Sequence, residues 1–221
     1  MRAAPAMRKP LLVLIVLLLG AGAAAVLWSM AEDPEYRVKE LFSFGRYHRY
    51  DDLIRQAAAR HGVDPALIKA VIWRESRFHP EKIGQHGERG LMQITENAAA
   101  DWVQAEKIRT FVPTDLFDPK VNIDAGTWYL KRALGHWSSR DDAIPFALAE
   151  YNAGRTRVKR WVRDSTAGEA AGATEMQAAM DFPATKAYIA AIMLRYDYYR
   201  RHGAFPPETS PNRTNSRESQ P

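Results

Sequence analysis

Two of this chain's Asp-Pro pairs, at residues 64–65 and 118–119, each read as the start of a helix that carries apolar residues. An aspartate just before a helix accepts from its free N–H groups, and proline fits the first helical position because that N–H has no partner anyway. After Asp64-Pro65, residues Leu67, Ile68, Val71 and Ile72 share one face. This predicts a buried helix running to about Glu75 or Arg77, ahead of Pro80 and Gly84. After Asp118-Pro119 the apolar positions are Val121, Ile123, Trp128, Tyr129, Leu130 and Leu134. Further helices are predicted over residues 51–61, ended by Gly62, and from a Thr95 or Asn97 cap through Ala98 and Trp102. Another covers about residues 141–151, with Asn152-Ala153-Gly154 as its stop. The last runs from Pro183 through Tyr199, where Arg200, Arg201 and His202 suit a helix's negative end. Val158, Trp161 and Val162 suggest one more short turn, residues 78–89 read as a loop, and residues 164–180 as a surface loop or weak helix. No segment alternates as a half-buried strand does, so the expected fold class is all-α, one compact domain.

The N-terminus is of another kind. Residues 11–28 carry no charge and follow Arg2, Arg8 and Lys9. Such a run is the apolar core of a signal peptide or a short membrane anchor. Ser29-Met30-Ala31 offers small residues to a signal peptidase, whereas Trp28 suits the interfacial belt of a retained anchor. Both readings export the rest of the chain, to act as a soluble periplasmic protein after cleavage or anchored to the inner membrane. The expected organisation is an export or anchor segment at 1–31, a lead-in at 32–49, the folded domain at 50–203 and a tail at 204–221 of disordered composition.

Charge and cysteine content narrow the chemistry. Of the net +5, three positive charges lie in residues 1–31, which hold no acid, so residues 32–221 carry only +2. That is no footprint for nucleic acid. With no cysteine, disulfides, thiolate nucleophiles and cysteine-ligated zinc are excluded, and the six histidines show no metal-ligand spacing.

Three short elements remain: Glu75-Ser76 at a helix end, Gly90-Leu91-Met92-Gln93 after a glycine-bearing loop, and Glu150-Tyr151-Asn152-Ala153-Gly154 at another helix end. Glu75 follows the apolar run Ala70 to Trp73 and sits beside a helix's partial negative charge. Desolvation and that charge both disfavour a carboxylate, so Glu75 is a candidate acid that stays protonated near neutrality. Gly87 and Gly90 suit positive φ or a close approach of backbone to ligand.

In this order, the three elements resemble the lytic transglycosylase domain of the soluble-lytic-transglycosylase type, related to goose-type lysozyme. The resemblance covers about residues 50–199 and implies a lysozyme-like helical fold. It further implies that Glu75 is the only essential carboxyl group, acting as acid and then as base. The bond between N-acetylmuramic acid and N-acetylglucosamine would be cleaved without water, leaving a 1,6-anhydro ring, with no metal or organic cofactor. Peptidoglycan strands are the implied partner. Substrate would be contacted by Ser76, by Met92 lining the groove, by Gln93, by Asn152 and by Tyr188, while Tyr151 would orient Glu75. The same resemblance covers Phe182 to Tyr188, but Ala184 and Lys186 replace the glutamate and arginine that flank the family's threonine. Glu88-Arg89 departs from the small residues often seen before Gly90. Glu88 is read as a solvated acid paired with Arg89, with a second carboxylate for the site as the alternative. Glu150 is expected to face solvent or a neighbouring base. Two other functions stay open: a lysozyme-type hydrolase on the same fold, and a non-catalytic wall-binding scaffold.

Overall fold

The computed structural model describes residues 13, 43 and 45–205. The chain divides into two units, residues 1–46 and 47–221. The expected export or anchor segment falls outside the described residues, residue 13 excepted, as does the tail from residue 206. Among the described residues no helix is long and apolar enough to cross a membrane.

The second unit is built from helices α1 (Asp51–His61), α2 (Pro65–Ser76), α3 (Glu96–Ala105), α4 (Pro119–His136), α5 (Ala143–Ala153), α6 (Arg155–Asp164), α7 (Ala173–Ala178) and α8 (Pro183–His202). Among the described residues β-pairing is limited to isolated bridges, Ile83 with Arg89 and Arg89 with Ile94. The Asp-Pro pairs at 64–65 and 118–119 start helices as expected. Asp64 caps α2 through the Ala66 N–H at 2.8 Å, and Asp118 caps α4 through the N–H groups of Lys120 and Val121. Thr95, not Asn97, caps α3. The expected short turn at Val158 to Val162 is a full ten-residue helix, α6, whose buried face is Val158, Trp161 and Val162. Within residues 164–180 the chain forms a 3-10 turn at Gly168–Ala170 and then α7, which buries Met176.

Helix α5 is the hydrophobic centre: Phe146, Ala147, Leu148 and Ala149 are fully buried, and α4, α6 and α8 pack on it. Helix α2, also buried along most of its length, packs between α1 and α8. Asp64 ties its start to α8 by accepting from the Tyr196 hydroxyl at 2.7 Å, while its end meets Tyr188 of the same helix. Residues 64 and 75 thus pair with 196 and 188, so the two helices run antiparallel, and the end of α2 is held against the middle of α8. Lys69, fully buried on α2, is neutralised by Asp51 at 2.7 Å and donates to the Ala204 carbonyl, so the packed chain continues past α8. Tyr47 lies against Phe78, ring centroids 5.3 Å apart, so packing begins before α1.

Candidate active site

Glu75 is the penultimate residue of α2, and the chain turns sharply just beyond it. Arg77 and Phe78 both take positive φ, 53° and 62°, a conformation that side chains disfavour. The turn is anchored by Phe78, fully buried, and by Ser76, whose hydroxyl accepts the Phe78 N–H at 3.1 Å and donates to the Ile72 carbonyl at 3.3 Å. Strain of this kind persists where surrounding packing enforces it. It turns the chain back so that Lys82 donates to the Glu75 carbonyl. Ser76 is therefore a buried, satisfied turn residue and does not reach the cleft, contrary to the substrate contact expected of it.

The end of α2, the loop that follows and the end of α5 enclose an open cleft of about 500 Å³. Arg74, Glu75, Glu88, Gln93, Tyr151 and Asn152 line it, with Gly84 to His86 along one rim. The Glu75 carboxyl is closely surrounded, although the residue as a whole is partly exposed to the cleft. Burial pushes its pKa up to about 7. Three neighbours work against burial: the hydrogen bond from Tyr188, and the charges of Lys82 and Arg74; the charge of Glu88 adds to it. Tyr188 donates to Oε1 at 2.7 Å. Burial, then the Glu75 charge, hold the hydroxyls of both Tyr188 and Tyr151 well above the usual phenol range, so both remain donors. Because the Tyr188 bond favours the carboxylate, Tyr188→Phe is expected to raise the Glu75 titration midpoint further, as read by carbon NMR of the carboxyl group.

The hydroxyl bonded to Glu75 is that of Tyr188, not Tyr151. Tyr151 lies near Glu75 but gives its hydrogen to the Met92 carbonyl at 2.9 Å, with Tyr129 edge-on to its ring. The residue that orients Glu75 is Tyr188, which the resemblance implied for substrate contact. It is buried, at 2% exposure. The hydroxyl of Thr185, one turn earlier on α8, donates to Asn152 Oδ1 at 2.7 Å. Asn152 is exposed in the cleft and lies within α5, which ends at Ala153 with Gly154 as its cap, inside the stop expected of it. Glu150 turns away from solvent: it is buried and accepts from Trp137 Nε1 at 2.8 Å and pairs with His136 Nδ1 at 2.7 Å.

Met92 does not line the groove. It is fully buried, its sulfur packed on Gly126 and 4.0 Å from the Thr127 hydroxyl. A Cβ on Gly126 would lie 2.5 Å from that sulfur, so the glycine makes the Met92 socket. Gln93, with φ of 51°, spends its amide N–H groups on the carbonyls of Lys82 and Gly90 and leaves its oxygen over the loop.

Sequence reasoning missed the residue that fixes this turn. Asn122 of α4, 1% exposed, accepts the Met92 N–H at 2.7 Å and donates to the carbonyls of Arg89 and Leu116, each at 2.8 Å. Gly90 makes room for it: φ is 77°, and a Cβ there would stand 2.3 Å from both Asn122 Nδ2 and the Leu116 oxygen. The close approach expected at Gly90 is thus to protein, not sugar. A visible signal was a polar residue in register with Gly126 and Leu130 on the buried stripe of α4.

The helical body agrees with the comparisons. The Transglycosylase SLT domain model matches residues 52–173, more than half of the chain, and the chain belongs to that family. The match stops before α8, which supplies Tyr188 and Thr185. Membrane-bound lytic murein transglycosylase C of Edwardsiella ictaluri is 36% identical over 121 residues, covering 52% of this chain and 34% of the relative. The Yersinia pestis protein of that name matches equally, at 36% over 121 residues. The chain therefore spans about a third of the length of these relatives. Among solved structures, the 70 kDa soluble lytic transglycosylase of Escherichia coli has a TM-score of 0.60 at 28% identity, over 69% of this chain and 24% of that one. A complex of the 70 kDa soluble lytic transglycosylase with bulgecin A has a TM-score of 0.63 at 27% identity, with the same coverage of both chains, 69% and 24%. An inactive mutant of lytic transglycosylase Slt from Pseudomonas aeruginosa, at 23% identity and a TM-score of 0.62 over 72% of this chain and 25% of that one, shares the fold.

Proposed function

We propose that this chain is a peptidoglycan lytic transglycosylase that cleaves the β-1,4 bond between N-acetylmuramic acid and N-acetylglucosamine without water. The observation that carries this reading is the Glu75 carboxyl, lodged at the cleft, held by Tyr188 and titrating at about 7. A group with that midpoint gives and takes a proton at neutral pH at little cost. In the first half-reaction Glu75 passes its proton to the glycosidic oxygen, and the C1–O bond breaks with its electron pair on that oxygen. Positive charge spreads over C1, the ring oxygen and the substrate's acetamido group. In the second half, the Glu75 carboxylate takes the proton of the muramoyl C6 hydroxyl as that oxygen bonds C1. The 1,6-anhydro ring closes, and the acid is restored. Between the halves the Tyr188 hydroxyl and the charges of Lys82 and Arg74 stabilise the carboxylate.

Gln93 and Asn152 are the groups placed to hold sugar. Thr185 occupies the Asn152 oxygen, which leaves its amide N–H groups for the ligand. The names of the relatives, membrane-bound and acting on murein, support export of this domain to the periplasmic face. Residues 11–28 are the segment suited to that step.

Digestion of purified sacculi in heavy-oxygen water tests the reading. Anhydromuropeptides free of heavy oxygen are expected; reducing ends carrying it would establish a lysozyme-type hydrolase, and intact sacculi a binding protein. The rate should also fall about tenfold for each pH unit well above 7, as the protonated fraction of Glu75 declines. Initial rates of sacculus clearing across a pH series check this.

A further inference from the structure

The cleft holds a second carboxylate that the proton cycle of Glu75 leaves unused. Glu88 stands on the loop facing the end of α2, and both residues line the cleft. The backbone around it closes into a ring, with the Gly84 N–H donating to the Glu88 carbonyl at 2.7 Å. Within that ring Glu88 Oε2 accepts the His86 N–H at 2.9 Å, and Oε1 lies 3.3 Å from His86 Nδ1. A Cβ on Gly84 would meet Oε2 at 2.2 Å and Gln93 Oε1 at 2.9 Å, so a glycine is what lets both side chains lie over the loop. The expected pairing of Glu88 with Arg89 is absent: Arg89 binds Glu96 at 2.7 Å. Among the described residues the cationic partner of Glu88 is His86, whose side chain is 84% exposed and charged only when protonated. Glu88 thus presents a fixed negative charge to the cleft.

We propose that Glu88 is the counter-charge of this site, its carboxylate stabilising the positive charge that grows on C1, the ring oxygen and the acetamido group as Glu75 protonates the leaving oxygen. This rests on the transglycosylase reading. Glu88 forms no bond to the sugar and moves no proton; the cycle of Glu75 stays balanced as written above. Burial alone would push the Glu88 carboxyl up, but N–H groups of the loop backbone and the His86 side chain hold it below its ordinary value. Around neutrality it is therefore an anion while Glu75, pushed up to about 7, can still carry its proton, the divergence that assigns different work to two carboxyl groups. The same contacts occupy its oxygens and make it a poor base for water, so the anhydro product is kept.

The groups around Glu75 are Arg74 of its own helix, Lys82 and Glu88 of the loop, Tyr151 of α5 and Tyr188 of α8. Of the neighbouring charges, Arg74 and Lys82 lower its pKa and Glu88 raises it. Glu88→Gln keeps an oxygen for the His86 N–H and removes only the charge. Its kcat on murein is expected to fall about ten- to a hundredfold with KM within about twofold. The alkaline limb of its kcat profile should move to lower pH, and its products should remain anhydromuropeptides. Glu88→Asp, which restores the charge, should recover part of the rate. A purely structural Glu88 would instead show a lower melting temperature, an unmoved alkaline limb and no recovery by aspartate, and that result overturns the proposal. So does a Glu88→Gln enzyme with wild-type kcat, or one altered in KM alone. A wild-type protein that releases no anhydro product overturns the transglycosylase reading and this one with it; an active wild type matched by Glu88→Gln overturns this one alone.

Discussion

Glu75→Gln is expected to lower murein cleavage at least about a thousandfold while making the domain more stable above neutral pH, an unusual pairing that follows from one buried carboxyl group. Glutamine has nearly the same shape and still offers an oxygen to Tyr188, 2.7 Å away in the wild type, so packing is kept and only the transferable proton is lost. The stability change follows from linkage. The folded state binds the Glu75 proton up to about pH 7, whereas the unfolded chain releases it near its ordinary value of 4.5. Between those limits the native state holds more protons, so wild-type stability falls as pH rises through that window. The loss amounts to as much as about 3 kcal/mol once the group is ionised in both states. The glutamine variant has no such slope. Urea midpoints at about pH 5 and about pH 8 should separate for the wild type by more than for the variant.

Asn122→Ala is expected to destabilise the domain by about 3–5 kcal/mol, a large part of what a domain of this size has to lose. The substitution leaves the Met92 N–H and the carbonyls of Leu116 and Arg89 without the partner that now satisfies them. Asn122→Asp should fare little better: it keeps the bond to Met92 but sets a carboxylate against two carbonyl oxygens. Denaturant unfolding measures the loss. In both variants murein cleavage should fall as well, because the turn that Asn122 pins carries Gln93 and receives the Tyr151 hydroxyl.

Helix starts were the most legible part of this chain, because their cause is local. Asp64, Thr95 and Asp118 cap helices through their own next N–H groups, and a short sequence window contains the whole interaction. Glu75 was legible as a candidate because it ends a helix after an apolar run, although Tyr151 and Tyr188, which stand beside it, come from distant helices. What could not be read depends on partners far away in sequence. That Tyr188 and not Tyr151 bonds Glu75 is decided by where α8 lies on α2, a contact spanning 113 positions. The resemblance implied Met92 as a groove residue, yet Gly126, from another helix, opens a socket that takes the side chain inward. The buried face of α4 is likewise set by distant partners. Its aromatic residues Trp128 and Tyr129 are only partly buried, while Asn122, Ala125, Gly126, Thr127 and Ala133 are fully buried. Small residues face inward there because α5 and the Met92 turn come close, and hydropathy does not encode that proximity.

The claim on which the mechanism depends is that Glu75 remains uncharged up to neutrality inside the intact protein. A carbon NMR titration of its carboxyl group, assigned by comparison with Glu75→Gln, measures this directly. The account predicts a midpoint near 7. A midpoint at the ordinary glutamate value of 4.5 would contradict it, since the group would then have no proton to give at the pH where the cell wall is turned over.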